Sequence, residues 1–321
     1  MYWMVTGGAG YIGAHVVHAL LAAGSEVVVV DDLSTGKAER VPAGVPLARV
    51  DVCNPAEFAA VVARYRPVGV IHLAARKDVA ESIRLPLRYY RDNLDGLRSV
   101  LEAVVTHGVE HVLFSSSAAV YGTPPQAGPI PETAPTQPEN AYGRTKLVGE
   151  WLLRDTAASA SLRWAALRYF NVAGAATPEL RDTGLTNLVP RLLDAARQGS
   201  AAILHGGDYP TRDGSAVRDY VHVRDVADAH VQAAFALVDG CLKADVLNVG
   251  RGVGVSVLEM ITAIGRRYGT LPYFVGPRRA GDPAEVVAQV EAISTRLGWT
   301  ARFGLDDIVR SAAGDCSLAA A

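Results

Sequence analysis

Cysteine is scarce in this 321-residue chain. There are three, Cys53, Cys241 and Cys316, far apart and without C-x-x-C spacing. That pattern offers neither a disulfide framework nor a zinc site, and it suits a reducing compartment. Net charge is small, −2, with no run of like charge. A nucleic-acid or polyanion surface is therefore not expected. Long apolar runs are missing as well: those present are short and interrupted, below membrane-spanning length. No secretory leader pattern precedes the first apolar strand, which begins almost at Met1. The expectation is a soluble, cytoplasmic protein with no bound metal and no nucleic-acid or membrane partner. Half of the residues are hydrophobic, so a sizeable core can form.

What the chain does have is concentrated at its start. Met1 to Asp32 reads as strand, glycine-rich turn, helix, strand and acidic end. The first strand runs to Thr6, and the turn is Gly7-Gly8-Ala9-Gly10. Gly7 permits the tight turn, and Gly10 lets the backbone approach a pyrophosphate. Gly13 lets the following helix pack close to the strand. The helix N-terminus offers free N–H groups and a positive dipole end to phosphates. An acidic residue about 20 positions past the glycines binds the adenosine ribose of NAD. Asp31, after the strand Val27–Val30, is placed for that, and its charge would repel the 2′-phosphate of NADP. The spacing is G-x-x-G-x-x-G. A glycine triplet alone has ordinary packing explanations; the strand–turn–helix–strand–Asp context gives it its meaning.

Further along, apolar strands alternate with helices. Strands are expected at Leu47–Val50, Val68–His72, His111–Ser115 and Trp164–Leu167. Helices are expected at Pro55–Tyr65, Pro86–His107 and Asn140–Ala158. A Pro- and Gly-rich loop spans Gly122–Glu139. This alternation predicts an α/β Rossmann fold, a doubly wound parallel sheet. Ligands in such sheets bind outside the carboxyl ends of the strands. From about Asn171 the loops lengthen, as at Gly174–Gly184, Gly206–Ser215 and Gly276–Pro283. Residues 1–170 are read as the NAD-binding domain and 171–321 as a smaller C-terminal substrate lobe. The boundary leaves room for 218–249 to pack back onto the main sheet. Ser256-Val-Leu-Glu259 opens one helix of the lobe with a capping-box pattern.

Tyr142 and Lys146 form Y-x-x-x-K on the helix after the proline-rich loop. A spacing of four puts both side chains on one helix face. An ammonium near a phenol favours phenolate, so the Tyr142 pKa is expected to fall. Such a tyrosine can act as base on an alcohol and as acid on the resulting ketone. Y-x-x-x-K alone is a common chance match. Here Phe114-Ser-Ser-Ser-Ala-Ala-Val-Tyr-Gly122 leaves a strand at cofactor level, and Ser117 can hold the same substrate hydroxyl against the tyrosine. Ser115 and Ser116 are equally readable as a hydrogen-bonded strand end.

TGGAGYIG, YxxxK and SSSAAVYG together resemble the extended short-chain dehydrogenase/reductases. HLAARKDVAES, RYYRDNLDG, FSSSAAVYG, LRYFNVAGA, GGDYPTRDGSAVRDYVHVRDVADAH and PRRAGD look more narrowly like the UDP-glucose 4-epimerases, over nearly the whole chain. The resemblance implies an isomerase that oxidises a sugar C4 and reduces it on the opposite face, with NAD kept bound. Ser117, Tyr142 and Lys146 would be catalytic. NAD would touch Gly7, Gly10, Tyr11, Ile12, Gly13, Asp31, Asp51, Val52, Lys77, Asn93 and Phe170; core packing is the other reading of Val52. The UDP-sugar would touch Asn171, Asn187, Leu188, Arg218, Arg279 and Asp282. Two arginines suit a diphosphate, because the guanidinium fork matches phosphate oxygens.

The chain also departs from that pattern. His205 stands where relatives often carry Phe against uracil. Val286 stands where some carry a Tyr beside the sugar 2-position, so UDP-N-acetylhexosamines are candidate substrates too. Asp32 replaces a common Asn, and Ala119 a common Thr. A 4,6-dehydratase normally needs an Asp–Glu pair beside the Ser/Thr, where this chain has Ser117-Ala118-Ala119. A net nucleotide-sugar oxidoreductase and a non-catalytic NAD(H)-binding protein are compatible with the same fold and cofactor motif. The resemblance further implies a homodimer built on the helices 86–107 and 140–158. These carry apolar residues beyond one face, such as Leu147, Trp151 and Leu152.

Overall fold

The structure is a computed structural model and describes residues 2–124, 128–279 and 281–317. Met1, with which the first expected strand opens, and parts of the expected loops 122–139 and 276–283 lie outside the described residues. The main sheet is built from β1 (Tyr2–Thr6), β2 (Glu26–Val30), β3 (Leu47–Ala48), β4 (Gly69–His72), β5 (His111–Ser117) and β6 (Arg163–Tyr169). A late strand, here βC (Ala244–Val249), completes it. The order is βC-β6-β5-β4-β1-β2-β3, and every pairing is parallel. The order reverses between β1 and β4, which opens a crevice at the carboxyl end of β1.

Both faces of this sheet are apolar because successive strand residues point to opposite sides. Val5, Val29, Ile71, Leu113 and Leu167 pack on one side, with Val16, Val17 and Leu20 of α1 (Tyr11–Ala22). Met4, Val28, Val70, Val112 and Ala166 pack on the other. There they meet α2 (Pro55–Tyr65) through Phe58 and Val62. All of these residues are fully buried, and each large aliphatic among them stabilises the fold by roughly 1.5–3 kcal/mol.

Four expected elements differ by more than one residue. The strand expected at Leu47–Val50 is only Leu47–Ala48, an edge strand held by β2 alone. The strands expected to end at Ser115 and Leu167 run on to Ser117 and Tyr169, because the two extend as one ladder (Ser115↔Leu167, Ser117↔Tyr169). The helix expected over 86–107 is interrupted. α3 (Val79–Arg84) and α4 (Pro86–Tyr90) lead into a π-turn at Arg91–Asp95, followed by α5 (Gly96–Thr106). π-turns inside helices commonly mark functional positions, and this one carries Asn93.

The helix expected over 140–158 is α6 (Ala141–Ser159), capped by the Asn140 side chain on the Gly143 N–H at 2.9 Å. With β7 (Asn171–Ala173) and α7 (Leu188–Gln198) the chain enters the smaller lobe. Its next strands are β8 (Ala202–His205) and β9 (Val217–His222), which lie in two separate small sheets. β9 pairs with β7 and with Glu285–Val286, so residues 217–222 belong to the lobe's sheet. The next helix, α8 (Val223–Val238), packs back on α1, and βC joins β6. The chain therefore crosses between the two layers inside 218–249. Tyr11 and His15 tie the layers together: the Tyr11 hydroxyl donates to the Gly174 carbonyl at 2.6 Å, and His15 Nε2 accepts from the Ala176 N–H at 3.0 Å.

Candidate active site

The glycine turn is shaped for a ligand that the backbone must approach closely. Gly7 lies at φ +70°, and a Cβ there would sit 2.7 Å from the Ala74 nitrogen. A Cβ on Gly13 would meet the Gly7 carbonyl at 2.1 Å. At Gly10 a Cβ would meet only that same carbonyl, at 3.1 Å, so the space above it is open. Helix α1 starts there without a side-chain cap, leaving N–H groups for an anion. Asp31 is fixed beside the turn: Oδ2 accepts from the Ala9 N–H at 3.0 Å and Oδ1 from the Leu33 N–H at 2.9 Å. Burial raises its carboxyl above the usual range, and these two bonds oppose the rise. An open cradle over Gly10 with a held carboxylate beside it fits a dinucleotide with a free ribose 2′-hydroxyl.

A cavity of about 360 Å³ opens between the sheet and the lobe. Its walls bring together Tyr11, Ile12, Lys77, Ser117, Tyr142, Phe170, Asn171, Asn187, Leu188, Arg218, Asp282 and Val286. Lys146 lies just behind the wall, buried, with Nζ donating to the Ser115 carbonyl at 2.7 Å and 5.9 Å from the Tyr142 ring centroid. Ser117 and Tyr142 both line this cavity, and the Ser117 hydroxyl lies close enough to the phenol to favour its ionised form. The three residues expected to carry the chemistry thus converge from β5 and α6.

The expected lowering of the Tyr142 pKa is corrected by this geometry. Burial raises the phenol above its ordinary value, and the Ser117 hydroxyl is what pulls it back. Burial also lowers Lys146 to about 7. Desolvation penalises the charged form of both groups, and the ammonium commits a hydrogen bond to a carbonyl.

Other expected residues lie elsewhere. Asp51 accepts from the Cys53 N–H at 2.9 Å beyond the edge strand β3, and Val52 is buried in the core against Gly96. Neither lines the central cavity. Asn93 is buried, and its amide holds the turn before Lys77: Oδ1 accepts from the Arg76 N–H at 2.8 Å, while Nδ2 donates to the Arg76 carbonyl and to Thr145. Both of its donors are committed within the protein, so it acts on the Lys77 turn and on α6. Arg279 and Arg191 both press the His205 pKa down, after burial, and Asp282 raises it. His205, Arg191 and Arg279 lie outside the cavity wall, which Asp282 lines. Arg218 and Asp282 pair with each other, and the same guanidinium donates to the Pro283 carbonyl at 2.8 Å.

Sequence reasoning missed Tyr220, Asp182 and Arg191. Tyr220 and Tyr169 line the cavity. Strand period would have found Tyr220, two residues after Arg218 on the same strand face. Asp182, which accepts from the Asn187 amide, carries no motif. A wider cleft of about 880 Å³ lies at the amino ends of β5 and β6, lined by Glu110, Arg154 and Lys243. None of the expected site residues borders it.

A family model described as the NAD dependent epimerase/dehydratase family matches residues 3–250. The UDP-glucose 4-epimerase of Azospirillum brasilense is 43% identical over 316 residues, covering 96% of this chain and 90% of the relative. The Brucella ovis UDP-glucose 4-epimerase, solved in complex with NAD, superposes with a TM-score of 0.93 at 38% identity over 99% of both chains. The Stenotrophomonas maltophila enzyme, solved with bound NAD and formylated UDP-arabinopyranose, gives 0.92 at 39% identity over 98% of this chain and 97% of that one. With its glycine cradle, its Tyr–Lys pair and this likeness over nearly its full length, the chain belongs to the NAD-dependent epimerase/dehydratase family.

Proposed function

We propose that this protein is an NAD-dependent 4-epimerase that interconverts UDP-glucose and UDP-galactose. The observation that carries the reading is the convergence of Ser117 and Tyr142, with Lys146 just behind them, on a cavity that Arg218, Asp282 and Val286 also line. The cradle over Gly10 and the fixed Asp31 carboxylate would hold NAD, with Lys77 and Phe170 at the cavity wall. When bound, NAD supplies the acceptor and donor of hydride at C4 and, in its oxidised form, a positive charge that favours the Tyr142 phenolate.

The chain's own residues do the rest. Tyr142 takes the proton of the sugar 4-hydroxyl and later returns it to the 4-keto oxygen. Ser117 holds that oxygen against the phenol, and Lys146 supplies the positive charge behind it. One acid/base suffices for both directions, because the same oxygen gains and loses the same proton. Asn187, Leu188, Arg218 and Asp282 would keep the UDP part in place while the 4-keto sugar turns over. Arg279 and His205 would extend that grip at the base end. Arg218 then exchanges part of its pairing with Asp282 for phosphate. Asp51 and Val52 would meet the adenine beyond β3.

Val286 is nine-tenths buried and lines the sugar end. Its small side chain favours a second reading, in which UDP-N-acetylglucosamine and UDP-N-acetylgalactosamine also react. A homodimer in the cytoplasm completes the proposal, supported by the exposed apolar side chains of α3, α4 and α6 and by three unpaired cysteines.

The test is conversion with no NAD added. Purified protein is incubated separately with UDP-galactose and UDP-N-acetylgalactosamine, and the 4-epimers are assayed. Conversion of the first is expected, and it stops in Tyr142→Phe while bound NAD is retained. An active Tyr142→Phe variant would overturn the mechanism. No conversion of either sugar, with NAD released on denaturation, would move the reading to another nucleotide sugar or to net redox chemistry.

A further inference from the structure

A buried ion pair sits one layer behind the active site and takes no part in the chemistry above. Arg168 donates from Nε to Glu150 Oε1 at 2.9 Å and from Nη2 to Oε2 at 2.6 Å. The two side chains are only 5% and 1% exposed. The Ser116 hydroxyl adds a bond to Glu150 Oε1 at 2.5 Å. Such pairs are poor sources of stability, since an apolar pair of similar volume usually folds as well or better. The question is what else the pair does.

Its placement answers. Glu150 stands four residues after Lys146 on α6, one turn along the same face. Ser116 precedes Ser117 on β5, and Arg168 precedes Tyr169 on β6; Ser116 and Arg168 are register partners. The catalytic helix is thus bound to the catalytic strand at two successive turns, by Lys146 on the Ser115 carbonyl and by Glu150 on Ser116. The second tie leaves the Lys146 ammonium from having to anchor α6 alone. The network then continues to the sugar end of the site. Arg168 Nη1 donates to the Tyr121 hydroxyl at 2.9 Å, and Tyr121 donates to Asn248 Oδ1 at 2.7 Å. Asn248 Nδ2 donates to the Ile130 carbonyl at 2.8 Å. Ile130 is bonded through its N–H to the Val287 carbonyl, next to Val286, at 2.8 Å.

We propose that Glu150 and Arg168 are a positioning pair that fixes Tyr142 on α6 against Ser117 on β5 and, through Tyr121 and Asn248, holds the pocket wall at Val286. The proposal rests on the reading of Ser117 and Tyr142 as the groups that act on the sugar. Misplacement by about 1 Å costs a reaction of this kind about 100-fold, so a rigid frame is worth its desolvation.

The experiment compares the full-length, NAD-containing protein with the double variant Glu150→Leu/Arg168→Met. Apolar replacement of both partners keeps the fold and the retained NAD, with Tm close to that of the parent. The expected result is a kcat on UDP-galactose lower by ~10- to 100-fold with little change in KM. The ascending limb of the pH–rate profile moves to higher pH, because Ser117 is no longer held beside Tyr142. Independently of turnover, the Tyr142 phenol, read as the ultraviolet titration difference from Tyr142→Phe, shifts upward in the double variant. Parent kcat and an unshifted titration in a folded double variant would overturn the proposal. Should the double variant not fold, Ser116→Ala keeps the ion pair and cuts the tie to β5. It is expected to lower kcat about fivefold, the worth of one hydrogen bond, and an unchanged kcat there overturns the proposal as well. A parent protein inactive on every UDP-sugar would sink the epimerase reading alone, since the titration still reports on the frame.

Discussion

At the scale of single residues, Tyr142 and Ser117 have to be considered together. Burial makes the Tyr142 phenol a weaker acid, and the Ser117 hydroxyl opposes that shift. Ser117→Ala therefore removes a group that favours the phenolate. The Tyr142 pKa rises further, less phenolate is present at a given pH, and the ascending limb of kcat moves to higher pH. The rate near pH 7 should fall ~100-fold, part of it recovered at alkaline pH, while Ser117→Thr retains the profile. A variant profile of lower amplitude but unmoved position would mean that Ser117 orients the sugar without tuning the base. The identities of these residues were legible from sequence, because Y-x-x-x-K and the serine strand end have fixed offsets. Their acidities were not. The sequence puts Lys146 within a helical turn of Tyr142, but it does not show how deeply both are buried or that Lys146 bonds to the Ser115 carbonyl. The commitment of both Asn93 donors to Arg76 and Thr145 was invisible for the same reason: those partners are brought together by folding.

At the scale of elements, helix α6 has to approach the turn after β5 closely, and Gly143 is where it does so. A Cβ at Gly143 would lie 2.5 Å from the Ala119 carbonyl oxygen and 3.0 Å from Pro138 Cβ. Helix propensity alone says that Gly143→Ala should stabilise α6, by about 1 kcal/mol. The contact with backbone at 119 opposes this and wins, since overpacking of this kind costs about 1–3 kcal/mol. The expected outcome is a lower Tm together with a kcat loss larger than the change in folded fraction, because Tyr142 is the neighbouring residue. A raised Tm with parent activity would show that α6 and the turn after Ser117 are not in tight contact. Element order and type were readable because buried parallel strands are short apolar runs and helices carry caps, as at Asn140, Asn54 and Ser256. Element ends were less so: β5 and β6 lengthen by pairing with each other, and the π-turn at Arg91–Asp95 has no local sequence signature.

At the scale of the whole molecule, the crossing of the chain between layers was only half visible. Apolar patterning marks 223–249 as core, but β9 pairs into the lobe through β7 and residues 285–286, distant partners that periodicity does not reveal. The expected dimer face also changes its membership. Leu147 is buried beside Val120 and Tyr121, and Leu152 packs on the second face of the sheet. Trp151 alone of the three points outward, at 48% exposure. It is joined by Ile83 at 61% and Leu87 at 82% on α3 and α4, which pack against α6. Neighbouring helices with several large exposed apolar side chains make a patch of the kind that marks an interface. A two-fold partner laying the same helices across them would form a self-complementary contact, which needs about 1,200–2,000 Å² of total burial to be stable. Light scattering after size exclusion should therefore report a dimer, and Leu87→Glu with Trp151→Glu should give a monomer. The candidate site draws Ser117, Tyr142, Lys146 and Arg218 from a single chain, so the monomeric variant should keep a kcat within a few fold of the parent. A monomeric parent protein would remove the dimer from the proposal; a monomeric variant without activity would mean that pairing holds α6, and with it Tyr142, in its working place.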